Sequence, residues 1–323
     1  MEGTSVFDDI RDQCRWVAEQ SRHVHIIVEH IPVTITPLLA ESPVIPALDT
    51  NSHFVGETED TIGFFMTLAA VNFGSGYFPH LHKRSGMSGY YTIATALTER
   101  FASNGPFTAQ QLAGISASDC AALFQQDTQN AAMAELMDRF ATSWNDLGED
   151  LVSRFNGSFT RCIEAADHQA SHLVSLLSEQ PLFRDVSLYH GAEVPFYKRS
   201  QLLASDLSLA LREHGLGQFD DLDELTIFAD NLVPHVLRVE GILEYTPKLI
   251  ADIEAERLIP EGSDEEIEIR ACSVHAVELI IEAAANAGYR WTARDVDQML
   301  WHQGQNPRYK AQSKRHRTRT VFY

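Results

Sequence analysis

The chain has 323 residues, 44% hydrophobic and 22% charged, a globular composition with length enough for a sizeable core, so wholesale disorder is excluded. Its 45 acidic residues outnumber 25 basic ones, and a surface of formal charge −20 disfavours tracking along DNA or RNA. No apolar run approaches the ~20 residues that span a bilayer, the start is acidic, and Cys14, Cys120, Cys162 and Cys272 form no C-x-x-C pair, so the expectation is a soluble, cytoplasmic protein with reduced thiols and no membrane contact.

Helical signals dominate. Ser5 followed by Asp8 marks a helix start, with Val6, Ile10, Cys14 and Val17 at helical spacing. Val24 to Val28 and Val33 to Ile35 read as strands, and Pro37 to His53 as a surface loop. Thr108 with Gln111 opens a helical segment, Thr128 begins a long amphipathic run through Trp144, and residues 160–180 and 200–214 read as helices, the second stopped by His214-Gly215. Glu265 to Ala287, ending at Gly288, is the longest predicted helix. Thr292 caps a shorter one bearing Val296, Met299 and Leu300, and Thr318 to Tyr323 reads as a last strand. The fold class expected is mainly α: a single large α-helical domain over 1–323 with a few short strands, divisible into an N-terminal lobe, 1–145, and a catalytic lobe, 146–323.

The common catalytic signatures are missing: no G-x-S-x-G, no G-x-x-x-x-G-K-[ST] and no H-E-x-x-H, and Gly74-Ser75-Gly76 lacks a strand-turn-helix setting. His23, His25 and His30 cluster, as do His80 and His82, without Asp, Glu or Cys at ligand spacing, so neither a metal nor a cofactor is expected.

Reactive side chains in apolar surroundings concentrate in three segments. Phe196-Tyr197-Lys198-Arg199 opens a helix that carries Asp206 eight residues after Lys198. Thr226 to His235 is an apolar run broken at Asp230, just before a helix whose first turn holds Pro234. A carboxylate there feels the positive helix end, which favours its charged form and suits it to face an oxocarbenium-like centre. Asp230 also reads as a plain N-cap, and Lys198 and Arg199 as solvated helix-start charges. The third segment is the tail, where Arg308, Lys310, Lys314, Arg315, Arg317 and Arg319 fall within twelve residues before an apolar end at Thr320 to Tyr323. That end favours a docked tail delivering Arg317 and Arg319 to one phosphate monoester rather than to a polymer.

At these residues the sequence resembles the queuosine salvage family, the queuosine 5′-phosphate N-glycosylase/hydrolases. The matching stretches are Asn156 to Phe159, Phe183-Arg184-Asp185, Phe196 to Gln201, Thr226 to Asp230, Glu266 to Ser273, Leu300-Trp301 and His316 to Arg319. The resemblance implies an α-rich fold similar to helical DNA glycosylases and release of queuine for tRNA modification. It implies that Asp230 is catalytic, that Lys198 contacts the ribose or phosphate, and that Arg317 and Arg319 bind phosphate. Phe228, Asn231 and His235, around Asp230, are further substrate-contact candidates. Two departures stand out: Asn231-Leu232 follows F-A-D where many members have Tyr-Arg, and Asn72-Phe73-Gly74-Ser75-Gly76-Tyr77-Phe78 differs from N-F-x-[FY]-W. Asn72, Phe73 and Tyr77 are assigned to the substrate face there. Glu268 is a candidate to read the base, or a partner of Arg270, and Trp301 to stack on the base or sit in the core.

Queuine is a 7-deazapurine, so protonation at position 7 is closed to it, and catalysis must rest on stabilising the ribosyl cation and on hydrogen bonds to the base. The expected substrate is queuosine 5′-monophosphate, with the queuosine nucleoside a second possibility and no stable nucleic-acid binding. The competing class is a non-catalytic protein that carries a modified nucleotide or docks on tRNA, which would spread basic residues over a wide face.

Overall fold

The computed structural model describes residues 5–39, 48–212 and 215–323, and the fold is mainly α, with a few short strands in two two-stranded sheets. Helix α1 (Val6–Gln20) starts at Ser5, whose Oγ accepts the Phe7 N–H, and buries Phe7, Ile10, Cys14 and Val17. Strand β1 (Val24–Ile26) follows. The second strand expected at Val33 to Ile35 is instead part of α2 (Ile31–Leu39). Ile31 and Ile35 are its buried pair while Val33 is 75% exposed, as one helix face requires and as strand alternation, which groups all three, does not. The loop expected from Pro37 begins inside this helix; its residues 40–47 lie outside the described residues.

Next come α3 (Thr58–Val71) and α4 (Gly89–Asn104), which sequence periodicity did not mark. Helix α3 is buried on every side from Thr61 to Val71, so no polar face sets off an apolar stripe. The Thr108/Gln111 capping box opens the short α5 (Ala109–Ala113), ahead of α6 (Ala117–Phe124). Helix α7 (Ala131–Phe155) starts at an Asn130 cap rather than at Thr128 and runs through residue 145 without a break. The single helix expected over 160–180 is two, α8 (Phe159–Glu164) and α9 (Ala170–Ser178), divided where Asp167 and His168 take φ of 49° and 58°.

A hairpin, β2 (Val186–Tyr189) and β3 (Ala192–Pro195), leads into α10 (Lys198–Ala210). After α11 (Val233–Val239), β4 (Leu243–Tyr245) pairs antiparallel with β1, Val24 opposite Tyr245. The chain finishes with α12 (Pro247–Glu254), α13 (Asp264–Asn286), α14 (Ala293–Gly304) and α15 (Pro307–Gln312). Helix α13 begins at a Ser263 cap, α14 at a Thr292/Asp295 capping box.

The terminal strand expected at Thr318 to Tyr323 is irregular chain, and the residue before it, Arg317, forms a parallel bridge with Leu258. The tail is nonetheless docked. Tyr323 is buried, its carbonyl accepts the Gly74 N–H, and its hydroxyl donates to Glu266. Among the described residues no helix is long and apolar enough to cross a membrane, and no group of three or more His, Cys, Asp and Glu could hold a metal ion.

Candidate active site

Two buried charges organise the centre. Arg270, on α13, grips Asp185 with both guanidinium nitrogens, at 2.8 and 2.7 Å, between the rings of Phe196 and Tyr323. Its Nε–H donates to the Ala229 carbonyl at 3.0 Å, while Asp185 also accepts the Lys198 backbone N–H at 3.0 Å. One ion pair therefore fixes the backbone on both sides of the site, beside Asp230 and at Lys198. Arg199 turns the other way: its guanidinium donates to the Ala69 and Ala70 carbonyls, capping the end of α3, and lies over Phe73 and Phe183. The adjacent cations of this motif thus divide their work, Arg199 joining helices and Lys198 facing the acids.

Asp230 sits half-buried ahead of α11. Its Oδ1 accepts the N–H groups of Leu232 and Val233, at 2.7 and 3.3 Å, leaving Oδ2 without a partner among the described residues. The cap and the site carboxylate are the same group, one oxygen to each task. Buried Lys198 lies within electrostatic reach: burial pushes its ammonium below the ordinary value and Asp230 opposes that most strongly, with Asp297 and Asp206 pulling the same way. Its Nζ is 3.5 Å from the Asn72 carbonyl.

Asp297, on α14, completes the group. Its Oδ1 accepts the Phe228 N–H at 3.0 Å, and burial, reinforced by the charge of Asp230, pushes its carboxyl up to about 8. Asp206, on α10, is raised by burial to about 7 against the pull of Lys198. The cluster thus sets a carboxyl raised to about 8 at Asp297 and one raised to about 7 at Asp206 near the Lys198 side chain, on which Asp230 also acts. A half-buried pair lies alongside: His53 Nε2 meets the Tyr90 hydroxyl at 2.7 Å, and Tyr90 feels the charge of Asp206. His53 Nδ1 faces the Asp49 carbonyl, so it carries the proton and Tyr90 donates to Nε2.

The family model of the queuosine salvage protein matches residues 52–323. The chain belongs to the queuosine salvage protein family. Among similar proteins, one from Sphaerobacter thermophilus is 36% identical over 96% of both chains, one from Dictyostelium discoideum 31% identical over 97% of this chain and 98% of its own, and one from Mus musculus 28% identical over the same shares. Each of the three is a queuosine 5′-phosphate N-glycosylase/hydrolase.

Of the residues this family resemblance singles out, the structure brings together Asp230, Lys198, Phe228 and the Asn72 carbonyl. Asn231 is half-buried beside Asp230. His235 is buried, donates from Nε2 to the Tyr309 carbonyl and is pushed down to about 4 by burial, so it is neutral. Trp301, half-buried on α14 one turn after Asp297, stands edge-on to Tyr91.

Other residues are committed elsewhere. Phe73 packs on Phe140, and Tyr77 is enclosed, donating to Glu135 beneath the Arg319 guanidinium. Glu268 is fully buried and saturated: one oxygen accepts three backbone N–H groups, of Arg22, His23 and Val24, and the other the Tyr189 hydroxyl, so it has no lone pair facing a base. Arg317 donates to the Glu256 carbonyl and pairs with its carboxylate, and Arg319 pairs with Glu135 at 3.5 Å. Asp297 and His53 join the site without a sequence signal, because burial of a lone polar residue leaves none, whereas Asp206 is marked in the sequence by its place on the Lys198 helix.

Proposed function

We propose that this chain hydrolyses the N-glycosidic bond of queuosine 5′-phosphate and releases queuine. The observation that carries the reading is the pairing of a half-capped carboxylate, Asp230, with a carboxyl that burial raises to about 8, Asp297, beside Lys198. As the bond from C1′ to the base nitrogen breaks, its electron pair leaves with the base and positive charge develops on the ribose. The free oxygen of Asp230 faces that charge. Asp297, with one oxygen held by the Phe228 N–H, has a proton on the other to offer the departing base, which supplies the acid assistance that a 7-deazapurine cannot receive at position 7. Water then adds its oxygen to C1′ and returns the proton, so one water is consumed overall. The product is ribose 5-phosphate.

Asp230→Asn tests this. Its amide oxygen keeps an acceptor for Leu232 and Val233, so the helix start is retained, while the charge is lost. The expected result is a fall in kcat of at least about 100-fold with substrate still bound, measured as free queuine by mass. Near-normal turnover would overturn the assignment.

A further inference from the structure

Resting on that reading, one question is where the substrate's phosphate sits, since Arg317 and Arg319 each already face a carboxylate. The tail holds another arginine in a different situation. Among the described residues Arg315 makes one hydrogen bond, from a terminal nitrogen to the Gly304 carbonyl at 3.3 Å, and its buried Nε–H has no partner there. It forms no ion pair among the described residues, and the carboxylate acting on its charge is Asp230.

Its location is fixed from two sides. Gly304, at the end of α14, leaves no room for a Cβ because Leu232 and Val236 press against it, which places the Arg315 anchor on the first turn of the Asp230 helix. The same helix reaches α15 through the His235 bond to the Tyr309 carbonyl, and Lys310 is the next residue. Lys310 and Lys83 are exposed, lie near enough that each repels the other's charge, and form no salt bridge among the described residues. In a chain of charge −20, three cations that form no salt bridge among the described residues are a local reversal of sign.

We propose that Arg315, flanked by Lys83 and Lys310, is the subsite for the 5′-phosphate of the substrate. The unused guanidinium donors match a phosphate monoester, whose charge of about −1.5 to −2 at neutral pH takes up the uncompensated cations. The same contact predicts a preference for a nucleotide over a nucleoside without any nucleic-acid groove.

The test compares queuosine 5′-phosphate with queuosine nucleoside in the full chain, for wild type, Arg315→Gln, Arg315→Lys and the exposed pair Lys83→Ala/Lys310→Ala. Arg315→Gln is expected to lower the ratio of kcat/KM values, phosphate over nucleoside, by at least about 10-fold, the scale of a charged hydrogen bond. Arg315→Lys recovers part of it, and the surface pair, which leaves the core untouched, lowers it less. An unchanged ratio in all three variants overturns the subsite. If wild type cleaves neither substrate, the functional reading fails by itself, and the subsite is then judged by calorimetry with ribose 5-phosphate: heat lost in Arg315→Gln supports it, and equal binding by wild type and variant overturns it.

Discussion

Asp297 and Asp230, two residues of the same type, are given different surroundings here. Asp297 is enclosed on α14, beside the charge of Asp230, with Lys198 and the Phe228 N–H too weak to offset burial. Its folded value of about 8 lies above the unfolded value near 4, so the folded state holds the proton more tightly. Stability from this group is fully present below about pH 4 and is lost as pH rises through about 8. Asp206 acts in the same sense up to about 7. The melting temperature is therefore expected to drop between about pH 4 and 8 more steeply in wild type than in Asp297→Asn, which cannot titrate there. Activity should follow: if Asp297 supplies the proton, kcat has an alkaline limb near pH 8 that Asp297→Asn removes, along with about 100-fold or more of the rate. A limb that survives in the variant would assign the proton to another group.

At the scale of elements, Asp185 in the turn before β2 holds α10 and α13 together through one side chain. Asp185→Asn would leave Arg270 enclosed with only Glu266, at 3.8 Å, near its charge. The expected loss is about 3 kcal/mol, the low end for removing one partner of a buried pair, read as a shift of the urea midpoint at constant slope. Among molecules still folded, kcat should fall more than KM rises, because the backbone at Ala229 and Lys198 is what the pair positions. Helices with caps and one apolar face, α1 and α14, were legible from Ser5 and Thr292 onward. Helix α3, apolar all round, and α2, built on β-branched Ile31, Val33 and Ile35, were not, because burial on all sides erases the period and β-branching imitates a strand. In the site, Asp230 and Lys198 were legible as family motifs. Glu268 has the same kind of sequence setting, but its carboxylate closes the α1–β1 turn, a contact between segments more than 240 residues apart that local sequence does not carry.

Over the whole molecule, the fold brings together segments distant in sequence by docking its tail. Gly76 accommodates the Thr318 carbonyl where any Cβ would collide, and Ile259 donates to the Arg317 carbonyl, so the segment carrying Arg315 is held at both ends, by these contacts and by α15. The cations delivered this way work against the charge of the remainder. An approaching phosphate dianion meets the field of a body at −20 before it meets the cationic rim, and salt separates the two by range. The screening length is about 30 Å at 0.01 M salt, about 10 Å at 0.1 M and about 3 Å at 1 M. Raising salt from 0.01 to 0.1 M screens the distant repulsion first and leaves contacts at Arg315 nearly intact, so kcat/KM for queuosine 5′-phosphate should rise. Toward 1 M the rim itself is screened, and the value should fall again. The uncharged ribose end of the queuosine nucleoside has no dianion to repel or capture, so its kcat/KM should stay nearly flat over the same range. A monotonic fall for the phosphate from the lowest salt onward would mean that the rim, and not the whole-molecule charge, governs encounter.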